Sequence, residues 1–340
     1  MKRSTAIIIV NWNGENYIEE CLSSLEEQTN KDFDIFFVDN DSSDSSLAIA
    51  QKHKSLKIIE SGGNFGFAKG NNIAISHAIE LGYKYIALIN PDTVCDKDAL
   101  KFLIKAVGAK NVGGVQSKLK IYGTDTINTT GNELHYLGFS YCGNYKEPDN
   151  KDLITHTQIG VASGAAVIFK SSVLEKSGLL AEDFFMYQED TDLSWRIREL
   201  GYDIIFEPRS VIYHKYNFGR NKNKFYYVER NRLIYILKNY QLKTLVVLSP
   251  VFIITELLMI IYALIDGWPS KKVSGYIYLA KHFGEILKER KSIQSSRKVS
   301  DYKLKKYWVT TLRFDEVSNP LFYPLNLFFR AYWLIFGWMI

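Results

Sequence analysis

The chain has 340 residues, 46% of them hydrophobic and 23% charged, with a formal net charge of +5. That is an ordinary globular balance, with room for one large domain and an appendage, or for two domains. Its three cysteines, Cys21, Cys95 and Cys142, are odd in number and far apart, which excludes a disulfide framework and a cysteine metal motif and points to a reducing compartment. The apolar run Ala6 to Val10 is too short for a signal-peptide core and reads as a first strand.

The first strand, Thr5 to Asn11, is followed by the turn signal Asn13-Gly14 and an amphipathic helix from Glu15 to Gln28. A second strand, Asp34 to Val38, runs into Asp39-Asn40-Asp41-Ser42-Ser43-Asp44, and a helix is expected over Ser45 to His53. Leu56 to Glu60 is a third strand. After it come Gly62-Gly63-Asn64-Phe65-Gly66 and a helix from Ala68 to Leu81. Tyr85 to Asn90 is a fourth strand, stopped by Pro91, and Asp96 to Val107 is a further helix. Strands alternating with helices imply a mostly parallel sheet covered on both faces. Asn11, Asn13, Asp39, Asp41 and Asp92 then lie at the strand tips along one edge, where open α/β sheets bind ligands. Asp92 alone is equally well read as a helix cap. The Gly62 to Gly66 loop is equally well read as a tight turn, although Asn64, Lys69 and Asn72 place polar donors around it. There is no Gly-x-Gly-x-x-Gly after the first strand and no P-loop.

Val112 to Tyr145 reads as strands and loops without assignable roles. In Gln158 to Phe169, the small residues Ser163 and Gly164 permit close approach of a ligand or a backbone. Ser171 caps a short helix that ends near Gly178. Glu189, Asp190 and Asp192 open a helix that Gly201 ends. Asp192 is explained by an i,i+4 pair with Arg196. Crowding among acids and apolar neighbours raises a carboxylate's pKa, which is how a general base is made. A strand over Asp203 to Phe206 and the segment Pro208 to Tyr213 lead to His214, a structural residue unless it faces Asp92.

In this order and spacing, Val10-Asn11-Trp12-Asn13, Val38-Asp39-Asn40-Asp41, Asn64-Phe65-Gly66-Phe67-Ala68-Lys69-Gly70-Asn71-Asn72, Asn90-Pro91-Asp92, Ser163-Gly164-Ala165, Met186-Tyr187-Gln188-Glu189-Asp190 and His214 form a set. The set resembles the glycosyltransferase family 2 enzymes, in particular their rhamnosyltransferase-like branch, over roughly Ser4 to Arg232. The resemblance implies a GT-A nucleotide-diphosphosugar fold, α/β with a mostly parallel sheet flanked by helices, and inverting transfer of one sugar. It implies that Asn11, Asn13, Asp39, Asp41, Asn64, Gly66, Lys69, Asn72, Asn90 and Asp92 bind the nucleotide-sugar. Asp92, with His214, looks like the holder of Mg2+ or Mn2+. Asn90 replaces the first carboxylate of the family's Asp-x-Asp motif, so the metal rests mainly on Asp92 and the diphosphate. Asp190 looks like the catalytic base, with Ser163, Gly164 and Glu189 at the acceptor. No Gln-x-x-Arg-Trp motif follows the acidic helix, which argues against a processive polymerase. Two other classes compete: a sugar-phosphate nucleotidyltransferase, which needs a Gly-rich basic signature where this chain has Asn13-Gly14-Glu15, and a non-catalytic glycan-binding protein, against which intact Asp92 and Asp190 argue.

The expected division is a catalytic domain over residues 1–232 and a helical, membrane-associating region over 233–340. Arg230 to Tyr240 reads as a helix. Thr244 to Ile265 is almost wholly apolar and near the roughly 20 residues that span a bilayer. Lys271 to Arg313 holds twelve basic and three acidic residues, a net +9, leaving −4 for the rest of the chain. Nucleic acid or a membrane surface would both fit that charge. The apolar run selects the membrane, so no nucleic acid is expected. A spanning run would put the +9 segment outside, against the positive-inside preference. The expectation is therefore a re-entrant or in-plane hairpin bent near Pro250, with the aromatic-rich Leu321 to Ile340 as a second anchor. The protein then sits on the cytoplasmic face of the cell membrane, and its acceptor is a glycan or a lipid-pyrophosphate-linked saccharide.

Overall fold

A computed structural model describes residues 3–150, 155–215, 223–313 and 322–340. The chain forms two compact units. The first comprises Met1–Asn132, Cys142–Ile197 and Tyr202–Asn217, the second Glu133–Tyr141, Arg198–Gly201 and Phe218–Ile340. The helix that contains Arg232 lies within the second unit. The Lys/Asn/Arg-rich stretch after His214 lies, over 216–222, outside the described residues, as does Leu321.

In chain order the first unit begins β1 (Thr5–Asn11), α1 (Ile18–Glu26), β2 (Phe33–Asp39), α2 (Ser46–Ala50), β3 (Leu56–Glu60), α3 (Gly66–Glu80) and β4 (Tyr85–Ile89). It continues with β5 (Thr93–Cys95), α4 (Ala99–Val107), β6 (Val112–Ile121) and β7 (Ile127–Thr129). After β8 (Asn132–His135) and β9 (Ser140–Cys142) come β10 (Thr157–Gln158), β11 (Ala166–Lys170), α5 (Ser171–Ser177), α6 (Glu189–Glu199) and β12 (Asp203–His214). The large sheet runs β10-β12-β6-β11-β4-β1-β2-β3, with β5 on β12 and β7 on β6. The pairs β4-β1, β1-β2, β2-β3 and β6-β12 are parallel, and β11 is antiparallel to both its neighbours. Alternate residues of the central strands feed two cores. Ile7, Ile9, Ile35 and Phe37 pack with Leu22, Leu25, Leu100 and Leu103 on one face. Ile8, Phe36 and Val38 pack with Ala74, Ile75, Leu193 and Ile197 on the other. Burial on both faces explains why β1 is an unbroken apolar run.

Two local departures from the sequence reading matter for the site. Asn90-Pro91-Asp92 does not lead into a helix; it turns into β5, and α4 starts only at Ala99. β12 does not end at Phe206. It continues through Pro208 to His214, because Pro208 falls inside the irregularity between Glu207 and Val211, where no ladder hydrogen bond is required of it.

The second unit holds α7 (Lys224–Asn239), α8 (Leu242–Asp266), α9 (Pro269–Lys281), α10 (Phe283–Ser296), α11 (Asp301–Leu304), β13 (Trp308–Val309) and α12 (Phe322–Phe336). β13, β8 and β9 form a small sheet. The hairpin expected to turn near Pro250 does not turn there: α8 is one helix of 25 residues with Pro250 inside it. Proline removes the N–H that would bond the carbonyl four residues back. Here the Ser249 hydroxyl donates to that carbonyl, Val246 O, at 2.9 Å. The reversal comes at Gly267, which takes the left-handed conformation (φ 78°) that ends α8, and Pro269 then opens α9. Several of the twelve basic residues between Lys271 and Arg313 are spent inside this unit, Lys305 among them, which donates to Gly337 O at 3.0 Å. Lys272 joins an ion-pair network, Arg290 donates to the carbonyls of Leu237 and Tyr240, and Arg297 pairs with Asp301 and Glu199.

Candidate active site

The tips of β1 and β2 are laced together. Asn11 Nδ2 donates to the hydroxyls of Ser42 (3.1 Å) and Ser46 (2.8 Å). Asn13, at φ 52°, accepts from the Ser43 amide at 2.8 Å. Both asparagines thus shape the loop after β2, and Asn11 Oδ1 remains buried without a partner. Asp39 is 4% exposed. Its Oδ2 accepts from the Ser42 amide at 3.1 Å, while Oδ1 is buried with no hydrogen bond. A buried carboxylate oxygen without a donor is costly, so a ligand hydroxyl or N–H there would recover free energy. Asp41 is exposed at φ 66°.

The glycine loop is organised by Asn40, a residue the sequence reading left without a role. Its Oδ1 accepts from the Phe65 amide (3.1 Å) and the Ser61 hydroxyl (3.2 Å), and its Nδ2 donates to Asn64 Oδ1 and Gly66 O, both at 3.2 Å. Asn64 Oδ1 also accepts from the Gly66 amide at 3.0 Å. Gly66 has φ 77°, and a Cβ there would lie 2.5 Å from Phe185 O. Its first duty is therefore to let the segment before α6 approach α3. The Ala68 amide bonds the same Phe185 carbonyl at 3.2 Å. Lys69 Nζ stands 4.2 Å from the Phe65 ring centroid. Asn72 is committed elsewhere: its amide bonds both the N–H and the carbonyl of Leu180 and the Glu182 carboxylate.

Asp92 and His214 are far apart in sequence and meet because β5 pairs antiparallel with β12, with Thr93 opposite His214. Asp92 Oδ1 lies 3.2 Å from His214 Nε2, and the Asp92 carbonyl accepts the Lys215 amide at 2.9 Å. His214 Nδ1 is 3.0 Å from Asn128 Oδ1. A ring that donates Nδ1–H to Asn128 turns Nε2 toward Asp92, the usual arrangement behind a metal-binding histidine. Asp92 Oδ1 has no hydrogen bond of its own. The Asn90 amide bonds Ala165 O at 2.9 Å, and its carbonyl accepts from Thr93, which fixes the turn. Among the described residues no three His, Cys, Asp or Glu are placed to hold a metal ion together. A carboxylate and an imidazole fit Mg2+ or Mn2+ with the remaining ligands drawn from phosphate oxygens and water. At the flank, Lys215 pairs with Glu20, whose carboxylate also accepts from Tyr122 at 2.5 Å and is held below its ordinary pKa by those two partners.

The acidic start of α6 lies against β11's approach. Asp190 Oδ2 accepts from the Gly164 amide at 3.2 Å, and Oδ1 from the Thr191 amide at 2.7 Å and its hydroxyl at 3.3 Å. Gly164 is close to Phe67 and Asp190. The Ser163 amide is held by Gln116 Oε1 at 2.6 Å, a second support the sequence reading missed. Desolvation pushes the Asp190 carboxyl above its ordinary range. Glu189 is 6% exposed, and its Oε2 is buried with no hydrogen bond. Burial, then the charges of Asp190 and Asp192, push it up to about 8. Hydrogen bonds favour the charged form of a carboxylate. They reach Asp190 and not that oxygen of Glu189, so the pair keeps its negative charge on Asp190 and its proton on Glu189. Phe185, Tyr187 and Gln188, just before the helix, all have positive φ (63°, 68° and 69°). Such strain persists where surrounding structure imposes it, and it gathers at functional sites. Asp192 is the structural acid expected, bonded to Arg196 Nε at 2.8 Å.

The sheet order and the acidic edge define a GT-A fold. Solved structures with the same fold include a mannosyltransferase from Pyrobaculum calidifontis in complex with GDP-Man and Mn2+ (TM-score 0.50, 16% identity, 99% of this chain and 84% of that one). Another is S. aureus TarS 1-349 in complex with UDP (TM-score 0.50, 16% identity, 98% and 89%). The chain belongs to glycosyl transferase family 2, whose model matches residues 6–178. It is 28% identical over 198 residues to the low-salt glycan biosynthesis hexosyltransferase Agl10 of Haloferax volcanii, covering 57% of this chain and 61% of that protein. It is 25% identical over 234 residues to the rhamnosyltransferase WbbL of Escherichia coli, covering 65% and 86%. Against the poly-beta-1,6-N-acetyl-D-glucosamine synthase of Staphylococcus epidermidis the match is 25% and spans about half of that protein, 48%.

Proposed function

We propose that the protein is an inverting, metal-dependent, non-processive glycosyltransferase. It moves one sugar from a nucleotide-diphosphosugar, dTDP-rhamnose or a UDP-sugar, to a glycan or lipid-linked saccharide acceptor in cell-surface polysaccharide synthesis at the cytoplasmic face of the membrane. The observation that carries the reading is the meeting of Asp92 and His214 across β5 and β12. The names of the relatives, and the nucleotides and Mn2+ held by the structural neighbours, support it.

In this reading Asp39 takes the nucleoside through its unpartnered Oδ1. Asp92, backed by His214 and Asn128, would hold Mg2+ or Mn2+ at the diphosphate. Bound there, the cation offsets the charge that develops on the leaving nucleoside diphosphate. Asp190, anchored by Gly164 and Thr191, accepts the acceptor hydroxyl's proton as that oxygen attacks the anomeric carbon opposite the leaving group. Glu189 keeps its own proton near neutral pH and lines the acceptor side with Ser163 and Gly164. Asn64, Gly66, Lys69 and Asn90 border the donor, and Asn11, Asn13, Asn40 and Asn72 hold the loops that carry those contacts. The test is Asp190→Asn: turnover should fall by a factor on the order of 10³ or more, with donor affinity changed far less. Retained turnover would remove Asp190 from the base role.

A further inference from the structure

The apolar run of the second unit has two unlike faces. Thr244, Leu248, Val251, Thr255 and Ala263 form a buried stripe along α8. The opposite side exposes aliphatic residues, among them Val246 (64%), Ile253 (59%), Leu257 (57%), Leu264 (61%) and Ile265 (78%). Only 22% of the helix's most apolar window is buried, whereas a soluble core helix is mostly buried. Between Lys243 and Asp266 the one charged residue is Glu256, and it is turned inward. It pairs with Arg232 of α7 and, at 2.8 Å, with Lys272 of α9, and accepts from Tyr276 at 2.7 Å. Glu229 of α7 pairs with the same two cations. α12 packs on α8 through Tyr332, whose hydroxyl bonds Val247 O at 2.6 Å. It too exposes a largely apolar face, Leu327 (55%), Leu334 (80%), Ile335 (58%) and, just beyond it, Trp338 (73%), with one exposed cation, Arg330, beside Leu327 and Leu334.

We infer that the outer faces of α8 and α12 lie in the plane of a single leaflet of an anionic phospholipid bilayer, and that α8 does not cross it. Three observations carry this. The outer face of α8, this long with no charge on it, is the surface that hydrocarbon fits. The network of Glu256 with Arg232, Lys272 and Glu229 bonds the middle of α8 to two charged helices, which a crossing helix would drag into the bilayer core. Exposed cations flank the helix and its successors, Lys243 at its start, Lys281 at the end of α9 and Lys288 in α10, giving charge complementary to anionic headgroups. The inference deepens the membrane side of the proposed function and rests on it for the acceptor's location, but not for the docking itself.

The test uses the full chain with Cys142→Ser, since Cys21 and Cys95 are buried. Single cysteines replace Lys243 and Ser270, which bracket α8, and Lys31 in the first unit. Sealed membrane vesicles of both orientations are treated with an impermeant maleimide. All three cysteines should react from one side only. Reaction of Lys243→Cys and Ser270→Cys from opposite sides overturns the inference in favour of a span. In a second arm, the purified chain is sedimented with phosphatidylcholine vesicles with and without phosphatidylglycerol. Binding should need phosphatidylglycerol for full strength. The triple variant Ile253→Glu, Leu257→Glu, Ile261→Glu should weaken it on the order of 100-fold or more with unchanged thermal unfolding. No vesicle binding, together with a dimer that the triple variant dissolves, overturns the inference in favour of a second copy of the chain. Sugar transfer is assayed separately on a water-soluble acceptor. Failure there with both membrane arms as expected removes the activity and leaves the docking, and the reverse result does the opposite.

Discussion

Glu189→Gln isolates the division of labour at the start of α6. The native carboxyl moves from an ordinary 4.5 to about 8 on folding. At 1.36 kcal/mol for each tenfold change, that is at most about 5 kcal/mol. Part of it is repulsion shared with Asp190, so about 2–5 kcal/mol belongs to Glu189 itself. A carboxyl with a raised folded pKa holds a proton that the unfolded chain has already lost. Stability therefore falls as pH rises from about 4.5 to about 8, and levels off above that. Glutamine has the same shape and cannot ionise. Urea unfolding of the full chain from pH 5 to pH 9 should give nearly equal stabilities at pH 5 and a variant more stable by about 2–5 kcal/mol at pH 9. Asp190, also raised, leaves a smaller falling slope in the variant. Parallel curves for the two proteins would refute the claim that Glu189 is the proton holder.

Two further predictions concern the supports of the site. Asn128→Ala removes the partner that orients His214, and Mn2+ affinity in the presence of nucleoside diphosphate, read by calorimetry, should weaken by about 10- to 100-fold with little loss of fold stability. An unchanged metal affinity would make Asn128–His214 a packing contact. Gly66→Ala meets both a left-handed backbone and the Phe185 carbonyl, so it should cost about 2–4 kcal/mol in chemical denaturation. A cost below that of an ordinary surface change would mean the loop can shift away from Phe185.

The strand tips were legible because period and punctuation announce them: β1, β2 and β4 are apolar runs that stop at Asn11, Asp39 and Asn90-Pro91. The carboxylates at those tips, Asp39 and Asp92, follow from the same reading. What holds them was not legible. Asn40, Gln116 and Asn128 are amides that in sequence look like any polar loop or strand residue, and only their buried partners distinguish them. The converse error has the same cause: Asn72 sits beside the glycine loop in sequence, but its amide faces Leu180 and Glu182. The meeting of Asp92 with His214 depends on β5, three residues long, and on β12 passing through Pro208, a residue that locally argues against a strand. The continuity of α8 past Pro250 was likewise not legible; there the Ser249 hydroxyl satisfies the carbonyl that the proline leaves free.

The central claim is sugar transfer that depends on Asp92, Asp190 and a divalent cation. The direct measurement is release of nucleoside diphosphate from a panel of UDP-, dTDP- and GDP-sugars, with and without Mg2+ or Mn2+, for the native chain, Asp92→Asn and Asp190→Asn. One donor should be turned over only with metal; Asp92→Asn should lose metal-dependent donor binding, and Asp190→Asn should bind that donor and fail to turn it over. Turnover that is indifferent to chelator and to both substitutions would contradict the account.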